Sequence, residues 1–363
     1  GVFAMMIGPG PHLRLVPGGL LHGQVPEPER FDMFSELIVH EERARLGAPG
    51  AEDGLTTGVI VTLPALIHYG PEWVQRDLVP DILLGKTRIA LAITEPFAGS
   101  DVASLRTRAE PAEGGGFLLN GVKKWITNSV FADWLLVLTR TRPAGGHGGL
   151  TYFLVPRTAP GVEVKPIPTD YGSCAGTGLV LLENVYVPGS HIVGGLNNGF
   201  KVCVHSFNHE RWSIAAYAIG RSRYILREAL VYANQRHAFG KPLSSQPVVR
   251  LRLATAAGQL ESVHALIERI TFQLNSKTYD EQVRDLSGPI ALLKQEATRV
   301  SKVVCDAAVL VFGGRGVTKN GMGRLVDRFA RAINMAHIYG GSADVMADYA
   351  MRQVYKNFPK TKL

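Results

Sequence analysis

Arg88-Ile-Ala-Leu-Ala-Ile-Thr94 is the stretch at which the chain changes period. Ile89, Leu91 and Ile93 alternate with Arg88, Ala90 and Ala92, which is strand behaviour. Short alternating or apolar runs follow at 116–123, 133–139, 151–155 and 178–187, separated by Gly, Pro and Asn turns. Upstream the period is helical. Phe34, Leu37 and Ile38 precede the charged run Glu41 to Arg45 and a stopping Gly47, and further helices are expected at 55–69 and 71–84. Downstream it is helical again. Val249, Leu253, Ala256, Leu260, Val263, Ile267, Ile270 and Leu274 form one seam, and Leu293, Ala297, Val300, Val304, Ala307 and Val311 form a second. Flanked by helices near 200–234 and 342–356, they predict an antiparallel four-helix bundle. The reading is an α+β multidomain chain: an N-terminal helical domain over 1–87, a middle β-barrel or sandwich domain over 88–190, and a C-terminal helical bundle over 191–363.

Composition narrows the class. Of 363 residues, 46% are apolar and 19% charged, enough for buried cores and unlike a disordered or collagen-like chain. No uncharged apolar run approaches the roughly 18 residues of a membrane span, and Pro64 breaks the nearest, Gly58 to Gly70. Cys174, Cys203 and Cys305 are scattered and odd in number, which favours a reducing compartment and gives no metal-ligand spacing. The net charge of +8 fits nucleic acid, an anionic surface, an acidic substrate or simple solubility. No run of five like charges occurs, and basic residues do not alternate with aromatics as in a single-strand binding groove.

Two stretches carry candidate chemistry. Thr94-Glu-Pro-Phe-Ala-Gly-Ser-Asp101 runs from a strand into a Pro/Gly turn whose N–H groups and hydroxyls suit a cofactor carbonyl or phosphate. Lys124-Trp-Ile-Thr-Asn128 sets a tryptophan beside a hydroxyl, able to cover a flat ring and bond its edge. Taken singly, the first is an ordinary loop and the second a core tryptophan. Together they resemble the acyl-CoA dehydrogenase family of flavoproteins. Asn198-Gly-Phe-Lys201, Arg236-His-Ala-Phe-Gly-Lys241, Phe312-Gly-Gly-Arg-Gly316 and Ile338-Tyr-Gly-Gly-Ser342 extend the resemblance from about residue 30 onward.

The resemblance implies FAD, and oxidation of an acyl-CoA thioester to the trans-2-enoyl-CoA with hydride transfer to flavin N5. Many members carry the α-proton base as a Glu in the last motif, where this chain has Gly340. The long-chain and isovaleryl branches instead place it on the central helix before an Arg, and Glu210-Arg211 stands there. Glu210 is therefore the expected base, with Gly340 leaving room for it and offering its N–H to the thioester carbonyl. By the same resemblance Leu91, Ile93, Thr94, Trp125 and Thr127 contact the isoalloxazine. Arg236 and Phe239 reach a partner's FAD, Gly313 and Gly314 meet its adenosine arm, and Tyr339 and Ser342 line the pocket. Ser100, Phe207, Arg211, Tyr339 and Gly340 are the substrate residues.

Departures exist as well. Leu310 replaces a Gln that contacts a neighbour's FAD, and Ala238 replaces a hydroxyl. His22, His68, His147 and His237 show neither pairing nor metal spacing and read as surface or structural residues. Further implied are a homodimer or homotetramer and an acceptor such as electron-transferring flavoprotein or oxygen. Nucleic acid is not expected as a partner. The other readings are an oxidase-like enzyme, or a DNA-binding flavoprotein relative supported only by the charge. Both carry an additional C-terminal region not seen in this chain. Thr361-Lys-Leu363 loosely matches a peroxisomal address, with the mitochondrial matrix as the alternative. Only 93 residues precede Thr94, so the chain is expected to be a fragment or divergent at its start.

Overall fold

The computed structural model describes residues 1–16, 27–143 and 145–358. His22 and Thr361-Lys-Leu363 lie outside them. The chain forms two compact units, Gly1–Asp32 with Gly50–His209, and Met33–Pro49 with Glu210–Leu363. The division at 87/88 and 190/191 follows element type, whereas these units follow contacts.

In the first unit, α2 (Pro49–Tyr69) and α3 (Val79–Leu83) precede the strands β1 (Ile89–Ala92), β2 (Arg108–Ala112), β3 (Gly116–Ile126), β4 (Trp134–Arg140), β5 (Leu150–Pro156), β6 (Val162–Pro166), β7 (Gly178–Pro188) and β8 (Ile192–Val193). They make one sheet in the order β6-β7-β3-β2-β4-β5-β8, with β1 parallel to β4. Leu135, Val137, Phe153, Val155, Val180 and Val185 are fully buried in its core. The alternation found from Arg88 onward thus marks real strands. β2 and β6 were not anticipated, because their charged residues and prolines break any apolar run.

The second unit holds α1 (Met33–Ala44), the greater part of α4 (Gly199–Gln235), α5 (Pro247–Asn275), α6 (Tyr279–Phe312), α7 (Arg324–Ile338) and α8 (Ala343–Asn357). Both seams are buried: Leu260, Ile267 and Ile270 on α5 meet Leu293, Val300 and Val304 on α6. A capping box at Thr278 and Glu281 starts α6. The expected helical bundle is present, with one correction. Its central core draws on α7, through Val326, Phe329, Ile333 and Ala336, and not on the helix expected at 342–356. That helix, α8, packs on α6 through a separate cluster of Met346, Ala350 and Ala291. The 3-4-3 spacing on α7 is masked in the sequence by Asp327, Arg328 and Arg331. Among the described residues no helix is long and apolar enough to cross a membrane.

Candidate active site

The β unit presents a bulge and a buried ion pair. The β3–β7 register shifts between Lys123 and Ile126, so Lys124 and Trp125 leave the ladder. Trp125 takes a left-handed φ of 65° and its indole is 52% exposed. It is not the core tryptophan that its residue type alone suggests. Lys124 N–H donates to the Thr94 carbonyl at 2.8 Å, which ties the two candidate stretches together.

Beneath them lies Lys123, fully buried. Its ammonium donates to the Ile93 carbonyl and to Glu95 Oε1, each at 2.9 Å. Glu95 also accepts the Arg106 and Thr107 N–H groups at 2.6 and 2.9 Å. Burial pushes Lys123 down to about 8 against the opposing pull of Glu95. Burial works against ionised Glu95, but Lys123, Thr107 and Arg106 outweigh it and hold the carboxyl below its ordinary range. Asn128, also buried, anchors the far end of the segment, accepting the Gly58 N–H at 2.8 Å and donating to the Ala175 carbonyl at 3.0 Å. Thr127 and Thr94 are half-buried, Ile93 is buried, and Leu91 is half-buried on β1. Ser100 is exposed in the following turn.

The bundle unit brings Glu210, Arg211 and the turn Tyr339–Ser342 together. Glu210 and Arg211 are buried side chains on α4. Gly340 has φ +69°, and a Cβ there would stand 2.5 Å from Ile214 Cδ1 and 3.6 Å from Glu210 Oε1. The position therefore needs glycine both for its backbone and for space. Arg211 Nε donates to the Gly340 carbonyl at 3.0 Å, and its guanidinium lies 5.3 Å from the Tyr349 ring centroid. From α6, fully buried Lys294 donates to the Gly341 carbonyl at 2.7 Å and to the His337 carbonyl at 3.4 Å. Tyr339 packs against the bundle core, and Ser342 stands at the N-cap position of α8 without a side-chain cap bond.

The remaining positions lie elsewhere. Phe239 has φ +53° and Gly240 +75° at the tip of a two-residue hairpin turn, where Phe239 is 94% exposed and Arg236 is exposed at the base. Gly313 ends α6 at φ +59°, with open space where Cβ atoms of Gly313 and Gly314 would stand. That loop is fixed by Arg315, which donates to the Tyr232 hydroxyl at 2.6 Å, while Tyr232 stacks on Phe312. Leu310 is exposed on α6 and Ala238 is half-buried. Phe207 is half-buried on α4. Of the other histidines, His147 stacks against Phe200, and His68 sits in the electrostatic reach of His205 and His209. His237 is exposed. No group of three or more His, Cys, Asp or Glu among the described residues has a metal-holding arrangement.

Comparison with known proteins bears on this arrangement. Residues 90–185 match the acyl-CoA dehydrogenase middle domain and residues 197–355 the acyl-CoA dehydrogenase C-terminal domain. The chain is 39% identical over 332 residues to the acyl-CoA dehydrogenase apdG of Emericella nidulans, covering 91% of this chain and 76% of that protein. The chain belongs to the acyl-CoA dehydrogenase family. A second relative, the acyl-CoA dehydrogenase AFT10-1 of Alternaria alternata, is 35% identical over all of this chain and 84% of its own length. Among solved structures, a probable acyl-CoA dehydrogenase of Mycobacterium abscessus superposes with a TM-score of 0.82 at 28% identity, over 89% of this chain and 83% of that one.

As an acyl-CoA dehydrogenase the protein is an FAD-dependent oxidoreductase acting on a CH–CH group. The residues present fit that cofactor. A half-exposed indole stands beside fixed backbone at Thr94, a surface for a flat ring, and the bare Gly313–Gly314 backbone leaves space for a close approach. Sequence reasoning gave no role to Lys123, Glu95 or Lys294. The available signal was a lysine placed inside an apolar pattern: Lys123 on β3, and Lys294 beside Leu293 in the α6 seam.

Proposed function

We propose that the protein oxidises an acyl-CoA thioester to the trans-2-enoyl-CoA, with Glu210 as the α-proton base. The observation that carries this is the 3.6 Å between Glu210 Oε1 and the place where a Gly340 Cβ would stand. A buried carboxylate therefore faces the turn whose Gly340 N–H suits a thioester carbonyl. The proton on the α-carbon moves to Glu210, and the charge that develops on the thioester oxygen is met by the Gly340 N–H. FAD, when bound, supplies the two-electron acceptor for the β-hydrogen. Arg211 holds the turn by its carbonyl, and Tyr339, Ser342, Phe207 and Ser100 are the further substrate-side residues. Thr94, Ile93, Leu91, Trp125 and Thr127 hold the flavin ring.

Exposed Arg236 and Phe239 suit a reach to the FAD of a second copy, with the guanidinium on its phosphates. Gly313 and Gly314 suit the adenosine arm. Base placement on α4 favours long or branched acyl groups, and the acceptor is electron-transferring flavoprotein or oxygen. The test is anaerobic titration of the FAD-loaded protein with acyl-CoAs of graded length, followed at the flavin absorbance, for the wild type and Glu210→Gln. Bleaching by the wild type alone is the expected result. Normal bleaching by Glu210→Gln places the base elsewhere.

A further inference from the structure

We infer that Lys294 is a positioning residue for the proton-transfer step, holding the Gly340–Gly341 turn and supplying the positive charge against which Glu210 works. The inference rests on the assignment of Glu210 as base, and extends it to a residue on another helix. Gly340 and Gly341 both have left-handed φ, +69° and +99°. Such a turn has no side chains of its own to fix it. Its two successive carbonyls are each taken by a cation: Gly340 by Arg211 from α4 at 3.0 Å, Gly341 by Lys294 from α6 at 2.7 Å. Because a peptide unit is planar, fixing both carbonyls fixes both planes that follow the Gly340 N–H. Lys294 also draws the end of α7 into the same clamp, donating to the His337 carbonyl at 3.4 Å, where a cation complements the helix C-terminus.

The ammonium is fully buried, and both of its hydrogen bonds go to neutral carbonyls. Its charge is therefore left to act through space. The charged groups that act on it are Glu210, which favours its protonation, and Arg211, which opposes it. On α7, His337 is disfavoured from charging by its burial, then by Lys294 and Lys302, with Asp344 on α8 pulling the other way. Burial pushes Lys294 itself down to about 8. Protonated, it is a cation that stabilises ionised Glu210.

The test is the pH profile of kcat/KM and kcat for the FAD-loaded wild type, Lys294→Met and Lys294→Arg. In Lys294→Met the acid limb moves to higher pH by about one unit, as expected when a nearby cation is removed from a carboxylate base. Its kcat falls about tenfold while KM changes little. Lys294→Arg returns the acid limb to its wild-type place. An unmoved acid limb in folded, FAD-loaded Lys294→Met overturns the inference. If Lys294→Met does not fold, Lys294→Gln, which keeps a donor for the carbonyls and removes the charge, decides: its acid limb moves the same way, and an unmoved limb overturns the inference. Glu210→Gln separates the two readings. An active Glu210→Gln refutes the base itself. An inactive Glu210→Gln with an unmoved limb in Lys294→Met refutes Lys294 alone.

Discussion

Among the described residues each unit of this molecule holds one fully buried lysine, and the two lysines are used differently. Lys123 in the β unit donates to a carbonyl and to Glu95, which itself accepts two backbone N–H groups. Its charge is consumed within that cluster, and the product is a fixed geometry for Ile93, Thr94 and the bulge that lifts out Trp125. Lys294 in the bundle donates only to carbonyls, and the carboxylate that feels its charge is Glu210. A buried cation with its own counter-ion is architectural. On the proposed role of Glu210, one whose counter-charge is the base also tunes chemistry. Burial pushes both down to about 8, so that shift does not distinguish them. The hydrogen-bond partners do.

The largest effect belongs to the bundle. Glu210→Gln keeps FAD, and its rate of flavin reduction by acyl-CoA falls by about 10²–10⁴-fold, the worth of a general base. A rapid-mixing measurement of flavin bleaching reads it. If the fall is small, the bundle has lost its claim to the chemistry and the comparison collapses.

The next effect belongs to the β unit. Lys123→Met leaves Glu95 buried without its cation, which costs about 3–5 kcal/mol of stability. Adding Glu95→Gln removes the orphaned charge and keeps an acceptor for the Arg106 and Thr107 N–H groups, and the double variant recovers much of the loss. Urea denaturation of the wild type, the single and the double variants measures the coupling. Lack of recovery means the lysine is held by its carbonyl bond and not by the ion pair.

Acid sharpens the same contrast. The Glu95 carboxyl is held below its ordinary value, so its contribution to stability is full above the unfolded carboxylate range and is lost as pH falls through the folded value. Between about pH 5 and about pH 3 the wild-type urea midpoint therefore falls more steeply than that of Glu95→Gln, which has no such proton to take up. Parallel curves break this account of the pair.

The smallest effect is at Trp125. Half-exposed and carrying a left-handed φ, it contributes little to folding, so Trp125→Ala changes stability by about 0.5 kcal/mol or less. FAD affinity, read by equilibrium dialysis, falls about tenfold through loss of the stacking surface. A large stability loss instead means the indole belongs to the core.

The period change at Arg88 and the seams of α5 and α6 were legible because burial on one face of a regular element writes itself into spacing. α7 escaped notice because Asp327, Arg328 and Arg331 surround its four core positions, and β2 and β6 because charges and prolines interrupt them. At the site, Glu210 and Gly340 were legible only as a departure from a motif set. Lys123 and Lys294 were not, since a lysine in a sequence normally reads as solvated.

The sequence by itself determined the order helices, sheet, helices, and the family with its cofactor. Tertiary structure decided which polar side chains face inward and what they hold. Hydrogen-bond partners more than a hundred residues apart, such as Arg211 with the Gly340 carbonyl, leave no trace in local periodicity. The same holds for the 3.6 Å between the Glu210 carboxylate and the space that glycine leaves open.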